Sequence, residues 1–378
     1  MTPEQEQIRD LARELAENEI APHAAAWDRA GELPREVIAK LGELGFLGML
    51  IPEAWDGLGL DTLSYLVALE EIARGDASVA VAMSVHNSLP TQMILANGSD
   101  AQKERFLRPM ARGEMLGAFS LSEPDSGSDA AAMQAQARRV DGGWVLNGAK
   151  AWVTNGGFGD VVVTMVRTDQ PGSRRGSRGI GAFIVPTGTP GYVVGRKEDK
   201  MGQRASETVG VAFEEMFVPD DQVLGDPAHG FIYAMQGLNG GRMGIAALAV
   251  GIAQAALDHA VAYAGERRQF GRPIKDFQGI QFKLADMATR VEAARGLLHR
   301  AARTREAGQK VSSIASMAKL FASEAAMYVT TEAIQVFGGY GYMKEYPVEK
   351  LFRDAKVTEI YEGTSEIQRT VIARELYR

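Results

Sequence analysis

Near the end of this 378-residue chain lies Arg353–Glu375, RDAKVTEIYEGTSEIQRTVIARE, and its reading organises the rest. Glu362 sits between Tyr361 and the turn Gly363-Thr364-Ser365. Thr364 or Ser365 can cap a helix whose apolar positions are Ile367, Val371, Ile372 and Leu376. Gly363 lets the backbone pass close to a ligand. The start of such a helix offers free N–H groups and the positive end of a dipole to an acceptor oxygen. Glu362 is therefore a candidate catalytic base. From the residues alone, the same stretch also reads as a capped terminal helix carrying a solvated Glu.

Composition narrows the chemistry. The chain is 46% hydrophobic and 24% charged, with a formal net charge of −7. This is ordinary for a globular protein of two or three domains. The acidic balance counts against nucleic acid or an anionic membrane as the main partner. With no cysteine in the chain, disulfides, thiolate metal sites and a dithiol are excluded, and redox chemistry needs a bound cofactor. His23, His86, His229, His259 and His299 stand singly without metal-site spacing, so no metal is expected. The first twenty residues read as an acidic amphipathic helix with Thr2 and Gln5 at capping-box spacing, which predicts a cytoplasmic protein. Ala77 to Ala96 is apolar but interrupted by His86, Asn87, Ser88, Pro90 and Gln92, which predicts a buried helix pair and no membrane span.

The period of the pattern changes twice along the chain. Residues 1–115 are helical, 116–225 carry short β-rich runs such as DVVVTMV and GIGAFIVPT, and 226–378 return to long helices. The expected architecture is an α+β multidomain protein: an N-terminal all-α domain, a middle β-barrel or sandwich, and a C-terminal four-helix bundle. In the middle region, Phe119–Ala130, FSLSEPDSGSDA, follows a strand and gathers N–H and hydroxyl donors that can meet a phosphate or a ring edge, or simply form a turn. The basic loop Ser173–Gly179 reads as a solvated hairpin connection and only secondarily as a phosphate contact. Gly240, Gly241 and Gly244 interrupt a helical pattern at about 1 kcal/mol each relative to Ala, so close backbone approach or tight helix packing is expected there.

IYEGTSEIQR resembles the C-terminal signature of the acyl-CoA dehydrogenases, and FSLSEPDSGSDAAA, KAWVTNG, GGRMGIAA, ERRQFGRPI and QVFGGYGYMKEYPVEKLFRDAK resemble further motifs of that family in the same order. The resemblance covers essentially the whole chain. It implies FAD held between the middle and C-terminal domains, acyl-CoA as substrate, electron-transfer flavoprotein as acceptor, and a homotetramer. Glu362 would remove the proton alpha to the thioester carbonyl. Phe119, Leu121, Ser122, Gly127 and Ser128 would meet the flavin ring and diphosphate, with Ser128 also near CoA. Trp152, Val153 and Thr154 match a second flavin segment, and Thr364, Ser365 and Glu366 join the cofactor side. Arg267, Phe270, Gln278, Gln335, Val336, Phe337, Gly338 and Gly339 match contacts that relatives make to a neighbouring subunit's flavin. Asn239, Arg242 and Gly363 match substrate contacts.

In the isovaleryl and long-chain branches the base stands at the position matching Gly241, so Gly here together with Glu362 selects straight-chain, short-branched or glutaryl types. SLSEP, KEDKMG, GRMGIAA and FKLADMA look more like the short-chain (butyryl) branch, whereas Glu366 and Asn239 depart from the medium-chain pattern. The implied reaction takes the alpha proton to Glu362 and the beta hydride to the flavin. It requires a dry site that raises a carboxyl from its ordinary pKa of about 4.3, and donors on the carbonyl oxygen, for which the Glu362 N–H is one. A flavin monooxygenase or oxidase, and a non-catalytic binding protein of the same fold, are the alternative readings.

Overall fold

The computed structural model describes residues 1–169 and 176–377; of the basic loop, Ser173 to Arg175 lie outside the described residues. The chain begins as the sequence pattern predicts. Thr2 Oγ1 accepts the Gln5 N–H at 3.2 Å while Gln5 Oε1 accepts the Thr2 N–H at 2.9 Å, closing a capping box on the helix Pro3–Leu15. A second box at Ser99 and Gln102 does more than cap: the Gln102 amide donates to Asp221 O (2.8 Å) and Val223 O (2.7 Å), tying the first helical region to the end of the sheet. The apolar run expected to be a buried pair folds as Ala77–Ser88 and Pro90–Asn97.

The middle region is a single seven-stranded hydrogen-bonded sheet. Its strands are β1 (Gly117–Ser120), β2 (Gln136–Val140), β3 (Gly143–Thr154), β4 (Val161–Arg167), β5 (Ile180–Pro186), β6 (Tyr192–Lys197) and β7 (Thr208–Pro219). They run β1-β4-β2-β3-β7-β6, with β5 paired to β4. β1 and β4 pair in parallel, Gly117 opposite Val161, whereas β3–β7 and β4–β5 are antiparallel. Register breaks in β3–β7 between Leu146 and Gly148 and between Lys150 and Val153 curl the sheet, as bulges do. Curling closes the apolar β4 and β5 into the interior, which gives the barrel-like packing that the sequence predicts.

The long helices Gly230–Glu266, Gln278–Glu306 and Ser312–Phe337 pack with Val348–Lys356 and Ser365–Leu376. Gly230–Glu266 is long and apolar enough to cross a membrane by length and composition, yet most of its apolar window is buried inside the protein. Its core is shared: Tyr65, Leu66, Leu69 and Met83 of the first region join Met243, Ala246, Leu248 and Ile252 in one cluster. The last helix departs from its amphipathic reading, because Leu376 is 72% exposed while Ser365 and Gln368 are buried. Gln368 turns inward to bond the Glu362 and Gly363 carbonyls at 3.3 and 2.8 Å, so a polar side chain takes the place of an apolar stripe.

Candidate active site

Glu362 lies in the turn before the last helix with φ of 53°, a left-handed conformation that a non-glycine residue adopts only under constraint. The constraint is visible on both sides. Gly363 follows at φ 94°, its carbonyl held by Lys319 Nζ at 2.7 Å, and Thr364 Oγ1 caps the helix by accepting the Ile367 N–H at 3.4 Å. Tyr361 anchors the turn from the other end through its hydroxyl to Gln203 (3.1 Å), whose amide bonds Asp354 O at 3.1 Å. The Glu362 N–H has no acceptor among the described residues.

The carboxylate points at the helix Gly230–Glu266. A Cβ at position 241 would fall on it, so Gly241 is the one residue type that leaves it room. Glu362 Oε2 is enclosed and has no hydrogen-bond partner among the described residues, although the residue as a whole is half-buried. Burial pushes its pKa up to about 7, against the pull of the Lys319 and Arg242 charges. Lys319 is fully buried, and its own pKa is pushed down to about 8 by burial, with Glu362 opposing. Arg242 is buried too, with Nη1 on Asn239 Oδ1 at 3.1 Å and Nε unpartnered. Tyr65, whose hydroxyl is 3.5 Å from Ser84 Oγ, is raised chiefly by burial and also by the Glu362 charge. The arrangement is a carboxyl poised to change protonation near neutrality, with an open N–H on the same residue.

A second group forms where β1 leads into Leu121–Ser126. Lys150 Nζ donates to Leu121 O (3.1 Å) and to Glu123 Oε1 (2.8 Å), both charges buried, and Glu123 also accepts the Gln134 and Ala135 N–H groups at 2.5 and 3.0 Å. The Ala151 N–H reaches Ser122 O at 2.9 Å, so the loop is locked to β3. At the end of β3, Trp152 has φ 55° and is 61% exposed, Thr154 is half-buried, and Val153 is in the sheet core. Phe119 and Leu121 are half-buried; Gly127 and Ser128 are exposed. An exposed indole platform beside a fixed loop of N–H, hydroxyl and carbonyl groups, with Ser120 Oγ buried and unpartnered, fits a planar heteroaromatic ring with polar edges. The FAD expected from the sequence is such a ring.

The third group lies around the hairpin Arg268–Gln269/Arg272–Pro273. Arg267 stacks over Tyr340 at 5.3 Å, and Phe270, at φ 51°, is 93% exposed. Gln278, Gln335, Gly338 and Gly339 are exposed nearby in sequence, but Val336 and Phe337 are buried, with Phe337 stacked on Tyr263 at 4.0 Å. The side chains of Val153, Val336 and Phe337 thus serve the core, and only their backbone remains for a ligand. Glu366 is exposed, and the helix-start N–H and the Thr364 hydroxyl hold its carboxyl below the usual range. Ser365 is buried against Glu359 O at 3.5 Å.

The sequence reading passed over Lys319, Tyr65 and the Gln203–Asp354 link. Lys319 was legible as a lone charge inside the run SIASMAKLFAS, a pattern that asks for a buried partner.

Comparison with known proteins agrees over the full length. Residues 2–114, 118–216 and 228–377 match the acyl-CoA dehydrogenase N-terminal, middle and C-terminal domains. The mitochondrial short-chain specific acyl-CoA dehydrogenase of Rattus norvegicus is 50% identical over 371 residues, 98% of this chain and 89% of that protein. The butyryl-CoA dehydrogenase structure from Megasphaera elsdenii superimposes with a TM-score of 0.98 at 45% identity, covering 100% of this chain and 99% of that one. A chain of the structure described as the electron transferring flavoprotein of Acidaminococcus fermentans gives a TM-score of 0.98 at 46% identity, with coverage of 100% and 99%. The chain belongs to the acyl-CoA dehydrogenase family, FAD-dependent oxidoreductases, and resembles its short-chain members.

Proposed function

We propose that the chain dehydrogenates a short acyl-CoA at the alpha and beta carbons, giving the trans-2-enoyl thioester, with Glu362 as the base. The observation that carries this reading is the enclosed, unpartnered Glu362 Oε2 above the bare face of Gly241. At pH 7.5 to 8 the carboxyl is largely ionised, because its pKa of about 7 lies below that range, and the ionised oxygen is free to accept the alpha proton. The Glu362 N–H, unused among the described residues, donates to the thioester oxygen and favours enolate character there. Asn239, Arg242 and Gly363 line the substrate side. Phe119, Leu121, Ser122, Trp152, Val153 and Thr154 would hold the flavin ring, and Gly127 and Ser128 its diphosphate. When bound, the flavin supplies the acceptor for the beta hydride. Thr364, Ser365 and Glu366 fix the turn that carries the base.

The reading extends to assembly and partners. The exposed Phe270, Phe282, Tyr342 and Met343 form apolar surface that a neighbouring subunit would cover. Together with Arg267, Gln278 and Gln335–Gly339, which match contacts that relatives make to a neighbouring subunit's flavin, this supports a homotetramer in which subunits share flavin contacts. The likeness to a chain in an electron transferring flavoprotein structure supports that partner as electron acceptor, and a cytoplasmic, non-membrane setting fits the bundle burial of the apolar helix. Domain boundaries near 115/116 and 225/226 follow the change of element type. Anaerobic titration of the holoenzyme with butyryl-CoA tests the activity: bleaching of the flavin is expected, and an unchanged spectrum overturns the reading. Light scattering that shows a flavin-saturated monomer overturns the tetramer.

A further inference from the structure

One turn from Gly241 along the same helix, the surface changes character. Gly237 and Gly240 floor a pocket of about 170 Å³ whose other walls include Ser88, Gln92, Met93 and Arg305. Gly237 and Gly241 are about 6 Å apart along the axis, so the pocket begins close to the base. Tyr65 links the two places, since its hydroxyl feels both the Glu362 and the Arg305 charge. A Cβ at 240 would approach Arg305 Nη1 to 3.1 Å and Ser88 O to 3.4 Å, so the glycine lets the guanidinium lie against the helix.

Arg305 is underused where it lies. Among the described residues it forms no ion pair, and its one hydrogen bond is a long one, Nη2 to Gln92 Oε1 at 3.4 Å. Gln92 Nε2 is buried with no partner among the described residues. The carboxylate nearest in sequence, Glu306, is occupied by the Thr62 N–H at 2.8 Å. Burial pushes the Arg305 pKa down, which reflects the cost of enclosing the cation. A half-buried guanidinium and a buried amide nitrogen with unspent donors favour an acceptor anion over an alkyl group, because a hydrocarbon tail would leave those donors unpaired.

We propose that this pocket receives the distal end of the acyl chain and that Arg305, with the Gln92 amide, selects a distal carboxylate, making short dicarboxylic acyl thioesters the preferred substrates. The inference rests on the dehydrogenase reading above and narrows its substrate class. Arg305 and Gln92 act on specificity; proton removal stays with Glu362.

The test compares thioesters on the flavin-loaded enzyme under anaerobic conditions: glutaryl-CoA and adipyl-CoA against pentanoyl-CoA and hexanoyl-CoA, with butyryl-CoA as the reference. The carboxylated members are expected to half-saturate flavin reduction at a concentration lower by about tenfold or more, the scale of one charge-assisted contact. In Arg305→Met the carboxylated-to-apolar ratio is expected to collapse to within about threefold of one, and Gln92→Leu to lower it less. If the parent enzyme reduces equally well or better with the apolar chains, the inference falls while the dehydrogenase reading stands, and this comparison needs no variant to fold. A full carboxylate preference retained in Arg305→Met likewise overturns it. No flavin reduction by any of the five thioesters overturns both.

Discussion

Two buried charge clusters lie a short way apart in this molecule and are built on opposite terms. In the first, Lys350 Nζ sits 2.7 Å from both Asp76 and Asp354. Asp76 also accepts the Ser78 and Val79 N–H groups at 2.8 and 3.0 Å, and the Gln203 N–H donates to Asp354. Each charge there is saturated, and the cluster pins the start of Ala77–Ser88 to Val348–Lys356 and to the sheet-side Gln203. In the second, Glu362 is enclosed with one oxygen bare and its two cations, Lys319 and Arg242, engaged elsewhere. The first arrangement spends its hydrogen bonds on holding segments together; the second withholds them, leaving an oxygen that can take a proton. The two are joined through Gln203 and Tyr361, so the saturated cluster supports the turn that carries the unsaturated one.

The contrast can be broken most sharply at Glu362. Glu362→Gln keeps the shape and the backbone N–H but removes the proton acceptor, so flavin reduction by butyryl-CoA is expected to fall by about 10²–10⁴-fold with FAD and thioester still bound. Stopped-flow bleaching within a few-fold of the parent would show that the bare oxygen is not the base. The opposite loss is expected from Lys350→Met, which strands two enclosed carboxylates: roughly 3–5 kcal/mol of stability, read as a large fall in melting temperature. A variant that melts near the parent would mean that the saturated cluster does not carry the fold.

Smaller effects sharpen the comparison. Gly241→Ala places a methyl on the Glu362 carboxylate, and displacement of the base should lower flavin reduction by roughly 10–100-fold, given the sensitivity of rates to misplacement of about 1 Å. Parental kinetics in this variant would deny the close approach. The pH profile of flavin reduction should rise through about 7 and level above it, since the base works ionised and its pKa is raised by burial. Lys319→Met removes a cation that favours that ionised form, so the midpoint should move upward by roughly 0.5–1 on the pH scale; a midpoint that stays or falls contradicts the electrostatic role. Stability runs the opposite way with pH. The folded carboxyl keeps its proton up to about pH 7 while the unfolded one loses it near its ordinary value, so parental stability declines as pH rises through that window. Glu362→Gln should therefore gain on the parent at pH 8 relative to pH 5, by on the order of 1–3 kcal/mol, and equal differences at the two pH values would count against an enclosed charge.

Much of this was readable in the chain itself because it depends on local chemistry. The capping boxes at Thr2 and Ser99, the change of period at both ends of the sheet, the helix capped by Thr364 and the candidacy of Glu362 all follow from neighbours in sequence. The glycines at 240, 241 and 244 announced close approach without saying what approaches. That depended on the packing of elements far apart in the chain: Glu362 over Gly241, Arg305 over Gly240, Ser84 and Tyr65 beside Gly244. The cluster of Asp76, Lys350 and Asp354 was equally hidden, since Asp76 and Lys350 are 274 residues apart. Apolar periodicity assigned Val336 and Phe337 no special place, and only the stacking on Tyr263 showed that their side chains belong to the core. The sequence thus determined which elements form and which residue types can do acid–base work. Tertiary structure alone decided which charges are saturated and which are left bare, because burial and hydrogen-bond satisfaction are properties of the assembled core and have no counterpart in the local pattern.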